Sequence, residues 1–113
     1  MDPRRADELL ARERARIEGA LAELAPDDSD APADPFEASD AGENLFDDEL
    51  AEEQAERLRA ELGAIERAQR RLAEGRYGVS VESGEPIPDA RLEAIPWAER
   101  TTTEQARYEA GGR

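Results

Sequence analysis

The chain has 113 residues, of which 39% are charged and 4% aromatic, and its 15 basic and 29 acidic residues give a net charge of −14. So few aromatics exclude a large globular core and suit long, mostly exposed helices. With no cysteine and no histidine, disulfides and thiolate metal sites are excluded, and a hydrolytic site would have only carboxylates to work with.

The charge is unevenly placed. Every basic residue is arginine, and none lies between Arg16 and Arg57. Residues 17–56 carry 15 of the acids, so the remainder of the chain is close to neutral. Without a basic stripe, general DNA or RNA binding is not expected. The acidic block favours a partner surface that is cationic or holds a metal ion. The competing reading is that it only solvates an exposed segment.

In chain order, Asp2-Pro3 starts the first helix, Asp as cap and Pro at the first helical position. Leu10, Ile17 and Leu24 recur every seven residues, with Ala20 and Leu21 beside them, until Pro26 ends the pattern. A helix over residues 3–25 is predicted. The opening "MDPRRADELL" has no long apolar run, which predicts neither a signal peptide nor a membrane span and points to the cytoplasm. Residues 26–40, "PDDSDAPADPFEASD", read as a loop; no register matches a calcium-binding loop.

Asp40 with Glu43 forms a capping pattern for the second helix. Leu58, Ile65 and Leu72 fall seven apart, Ala51, Ala55, Leu62 and Gln69 extend their stripe, and Gly75 and Gly78 stop it. About 33 residues make a rod of roughly 50 Å. Two such helices predict a mainly α fold: an antiparallel coiled-coil hairpin over 1–75, its acidic tip loop at 26–42. Burying its own stripes, the hairpin is expected to be monomeric. Phe36 and Phe46 either pin the loop onto the helix ends or are incidental to a loose one.

Residues 76–113 form a small α+β knob. Val79-Ser80-Val81, a turn at Ser83-Gly84 and Ile87 predict a short β-hairpin. "DARLEAIPWAE" gives a turn of helix broken at Pro96, and "TTEQARYE" a last helix capped by Thr102 or Thr103. Tyr77, Val79, Val81, Ile87, Leu92, Ile95, Trp97 and Tyr108 supply its miniature core. Arg91 either contacts a partner or ties the knob internally, to Glu82, Glu85 or a carbonyl; Trp97 is expected to pack rather than anchor a partner.

"AIERAQRRLAEGRYG" followed by "SGEPIPDARLEAIPWAE" resembles the DksA/TraR transcription regulators. Gly75, Tyr77, Gly78, Gly84, Ile87, Arg91, Leu92, Ala94, Pro96 and Ala98 fill fixed positions of that family's pattern, over roughly residues 40–105. The resemblance implies a coiled coil entering the secondary channel of bacterial RNA polymerase, with no enzymatic activity and no direct DNA binding. It places the functional tip at Glu37, Asp40 and Gly42, where Gly42 departs from the family's Ala. The bland role for Asp40 is an N-cap. A coiled-coil module holding another basic partner is the alternative reading.

The resemblance also locates four metal-ligand positions, a degenerate zinc finger, at Ser80, Ser83, Thr101 and Glu104. Three hydroxyls and a carboxylate do not make a zinc site, so no metal is expected; packing and hydrogen bonds across the old site should replace it. The family's basic positions toward guanosine tetraphosphate fall on Ala64, Ile95 and Gln105. None is basic, so dependence on that nucleotide is not expected.

Overall fold

In the computed structural model, residues 1–24 and 41–111 are described, with side chains for 1–24 and 49–111. Asp2 caps the first helix as its sequence predicts: its carboxylate accepts the Arg4 amide at 2.9 Å, and its carbonyl accepts from Ala6. This helix, α1, runs Pro3–Leu24; α2 spans Ala41–Ala73 in 33 unbroken residues.

The two helices are antiparallel. Arg14 of α1 reaches Gln69 at 2.8 Å, whereas Ala20 and Leu24 share a groove with Gln54 and Leu58. Advancing along α1 therefore means retreating along α2. Leu10, Ile17, Ile65 and Ala68 are wholly buried at the seam, flanked by Leu21, Leu58, Leu62 and Leu72. Full burial of each large aliphatic side chain is worth about 1.5–3 kcal/mol, so these few residues hold the hairpin. Because Leu24 sits level with Gln54, α2 continues past the end of α1 by roughly 20 Å. The protein measures 58 Å along its longest axis against 33 and 20 Å across.

A Schellman turn stops α2. The Arg76 amide bonds back to the Arg71 carbonyl at 2.7 Å and the Gly75 amide to Leu72 at 3.2 Å. Gly75 stands at φ 75°, where a side chain would be strained. Beyond it lie α3 (Asp89–Ala94) and α4 (Thr102–Glu109).

The expected β-hairpin is not formed. A single bridge, Val79 to Pro86, stands in its place among the described residues. Pro86 and Pro88 have no amide hydrogen to donate, so a ladder has nothing to continue with. The chain instead closes a tight loop through Ser80 to Glu85 and Ile87 to Gly78, both 2.8 Å.

The knob's core is correspondingly smaller than its sequence suggests. Ile87, Leu92 and Ala98 are buried, with Tyr77 and Ile95 against them. Val79, Val81 and Tyr108 are exposed, at 36%, 49% and 57%. Once the alternating strand is lost, its two valines have no sheet face to bury. Tyr108 lies under the Arg100 guanidinium, 3.9 Å from the ring centre, a cation–π contact rather than core packing.

Candidate functional site

Two aromatic residues join knob to hairpin. Tyr77 packs against both cores and donates its hydroxyl to the Pro96 carbonyl at 2.8 Å. Burial pushes its phenol up to about 12. Trp97 leaves the knob to pack on the hairpin cluster.

Charge pairs then fix the knob's orientation from two sides. Arg5 of α1 forks onto Glu93 of α3 at 3.0 and 3.2 Å. Arg67 of α2 forks onto Glu99 at 2.9 and 3.1 Å, and Arg71 joins it at 3.4 Å. The planar guanidinium matches both carboxylate oxygens at once. The Arg67 hydrogen bonds hold the Glu99 carboxyl below the usual carboxylate range, while burial lowers Arg71. None of these pairs was legible beforehand, since each spans at least 28 residues and depends on the helix register. Arg91 turns inward, donating to the Arg100 carbonyl at 2.9 Å.

Inside the knob, one turn faces one helix start. Ser80 accepts the amides of Glu82 at 3.0 Å and Ser83 at 3.2 Å. Opposite, Thr101 rather than Thr102 or Thr103 caps α4, in a reciprocal box: the Glu104 amide bonds to the Thr101 hydroxyl at 3.3 Å, and the Glu104 carboxylate takes the Thr101 amide at 2.9 Å. The hydroxyls of Ser80 and Ser83, then the Thr101 amide, lower the Glu104 carboxyl to about 2. Ser80, Ser83, Thr101 and Glu104 are thus brought together.

Residues 75–110 match the prokaryotic dksA/traR C4-type zinc finger family. The RNA polymerase-binding transcription factor DksA of Caulobacter vibrioides is 44% identical over 54 residues, 48% of this chain. General stress protein 16O of Bacillus subtilis is 35% identical over 66 residues, 58% of the chain. The chain spans about 40% of the length of these curated relatives, 38% and 40% respectively. The structure of transcription factor DksA2 from Pseudomonas aeruginosa is similar over far more: 96% of this chain and 83% of that one, at 33% identity and a TM-score of 0.72. The chain belongs to the DksA/TraR family.

Against the DksA/TraR zinc finger, the residues gathered in the knob do not fit the metal. Structural zinc is held by thiolate and imidazole donors in a tetrahedron. Here the residues expected at the ligand positions offer neutral hydroxyls already accepting backbone amides, and one carboxylate already taking the Thr101 amide. Among the described residues, no three acidic side chains gather in a way that would hold a metal ion.

Ala64, Ile95 and Gln105, the positions that the sequence resemblance sets toward guanosine tetraphosphate, line a cleft of about 610 Å3 between α2 and the knob. Arginines enter that cleft from other positions: Arg57, Arg67, Arg91 and Arg100. Three of them are held internally, Arg67 by Glu99, Arg91 by a carbonyl, and Arg100 by Glu82 at 2.8 Å. Of the tip residues, Glu37 and Asp40 lie outside the described residues, as does Phe36, and Gly42 falls in the first turn of α2.

Acid should destabilise the protein through the carboxylates of its knob. Glu104 and Glu99 are both held below their ordinary value of 4.5, Glu104 at about 2. A carboxyl depressed on folding stabilises fully above its unfolded value, and that stabilisation is lost as pH falls through the folded one. Melting temperature is therefore expected to be flat from neutral pH to about 5 and to fall steadily below about 4. Thermal melts across an acid series check this; a curve flat to about pH 2 would contradict it.

Proposed function

We propose that this protein is a non-enzymatic regulator of bacterial transcription that binds RNA polymerase and presents the acidic end of its hairpin to the secondary channel. The observation that carries this reading is the antiparallel pairing of α1 and α2 with, among the described residues, a knob at one end only. The start of α2 at Ala41 stands roughly 50 Å along the helix from Ala73, where the knob begins. The acids of residues 17–24 and 41–56 belong to that far half, and the arginines to the near half. The partner is suggested by the Caulobacter relative, which is named an RNA polymerase-binding factor, and by the likeness to DksA2 over nearly the whole chain.

Asp40, Glu37 and Gly42 form the proposed tip. In a narrow passage of low dielectric, a carboxylate at Asp40 interacts strongly with cations or polar groups around the polymerase active site. It shifts the balance between polymerase conformations and takes no part in bond making. The protein works as a monomer in the cytoplasm, without zinc and without strong dependence on guanosine tetraphosphate. No helix among the described residues is long and apolar enough to cross a membrane.

The test is pull-down and in vitro transcription with bacterial RNA polymerase, comparing the native chain, Asp40→Asn and a deletion of residues 26–40. Asp40→Asn is expected to retain polymerase binding and lose most of the effect on promoters. The deletion should lose the effect entirely. Unchanged regulation by Asp40→Asn at equal occupancy rejects the role of Asp40, and failure of the native chain to bind polymerase rejects the partner.

A further inference from the structure

The metal-ligand positions of the knob have not decayed into an empty polar patch. Ser80 and Glu104 are 4% and 6% exposed, the two buried polar or charged residues among the described ones. Each has a hydrogen-bonding inventory that specifies what must face it. The Ser80 oxygen accepts from two amides, Glu82 and Ser83, which occupies both of its lone pairs. Only its proton remains, and that proton needs an acceptor. Ser83 likewise accepts from the Glu85 amide at 3.3 Å and keeps its proton to give. Across the knob, an ionised carboxylate offers acceptors and nothing else. Glu104 takes the Thr101 amide at 2.9 Å, and the two serine hydroxyls stand close enough to lower its carboxyl. Among the described residues, no buried side-chain nitrogen or oxygen is left without a partner.

The polarity of the site is thereby inverted. A zinc finger sets anionic sulfurs around a cation; here hydrogen-bond donors converge on an anion. We infer that Glu104 is the structural hub of this knob, a buried carboxylate that replaces the metal by tying the 80–83 turn to the start of α4. The tie matters because no sheet holds the turn among the described residues: the Val81 to Glu99 backbone bond and the Arg100–Glu82 pair, both 2.8 Å, are its other links to the segment that starts α4.

A second role for Glu104 is already visible, as the capping partner of Thr101, and glutamine fills that role equally well. The substitution Glu104→Gln therefore separates the two. In a cap alone it is silent. In a hub, the glutamine amide oxygen has two lone pairs for three donors, the Thr101 amide and the Ser80 and Ser83 hydroxyls, so one donor is left unpaired.

The experiment uses the full chain. Glu104→Gln is expected to lower the melting temperature by at least about 5 °C. Ser80→Ala should lower it in the native background and add little in the Glu104→Gln background, because the partners act as one unit. Carboxyl 13C shifts supply a readout independent of stability. In the Ser80→Ala/Ser83→Ala chain, the Glu104 titration should move up toward the ordinary carboxylate value, while in the native chain it stays near its low one. Added zinc or chelator should leave the native melting temperature unchanged. A silent Glu104→Gln, fully additive losses, or an unmoved Glu104 titration in the double serine variant overturns the inference. So does stoichiometric zinc in the purified native protein. Should Glu104→Gln fail to fold, the serine variants and their titration still decide.

Discussion

A chain carrying Ser80→Cys, Ser83→Cys, Thr101→Cys and Glu104→Cys is expected to bind one zinc ion per molecule. The four positions form two pairs three residues apart, one on the 80–83 turn and one at the start of α4. Both the spacing and the convergence are those of a four-thiolate site. Structural zinc in such modules contributes apparent binding energies of about 10–16 kcal/mol near neutral pH, far more than the hydrogen bonds it would displace. The variant should fold only weakly without metal and melt well above the native chain with it. Cobalt substitution gives a direct reading, since tetrahedral thiolate coordination has a characteristic visible absorption. Octahedral cobalt, or no uptake, would mean that the turn and the helix start do not converge as described.

Ile65→Ala should be the most damaging single truncation in the hairpin. Ile65 is wholly buried, and its neighbours at the seam are Leu10, Ile17 and Ala68. Truncating a fully buried isoleucine typically costs about 2–5 kcal/mol, depending on how far the site can collapse. A small domain often has only about 5–15 kcal/mol in all, and here few large side chains share the load. Urea unfolding followed by circular dichroism should show the loss as a lower midpoint with an unchanged slope. Leu50→Ala, at a residue 44% exposed, is the control and should change stability by no more than about 0.5 kcal/mol. Knob and hairpin should unfold together, because Tyr77 packs on both cores. If Ile65→Ala costs less than about 1 kcal/mol, the seam is not the main support of the fold.

The hairpin was readable in advance because its information is local and periodic. Leu10 and Ile17 on one helix, and Ile65 on the other, sit at heptad spacing and are buried as that spacing requires. Asp2-Pro3 and Gly75 carry their helix-end chemistry in single residues. The knob was harder. Val79-Ser80-Val81 alternates like a strand, but alternation predicts a sheet only when a partner can donate hydrogen bonds, and Pro86 and Pro88 cannot. The cap of α4 was misplaced for a different reason. Thr101 and Glu104 form a T-x-x-E capping box in plain view, yet the sequence resemblance sets both at metal-ligand positions, where they read only as lost ligands. The Glu99 and Glu93 pairs had no local signal, since chain positions 28 or more apart meet only through the tertiary register.

The unbroken run of α2 has one more implication. Its 33 residues contain no proline, and its near end is clamped to the knob through Glu99. The helix therefore acts as a gauge, converting residue number into distance at about 1.5 Å per residue. Excising seven residues from each arm would keep the apolar seam in phase while shortening the span by about 10 Å, whereas excising five would rotate it out of phase. Reach in this protein is adjustable only in such steps, and a ladder of one-heptad variants would measure how deep its working end must go.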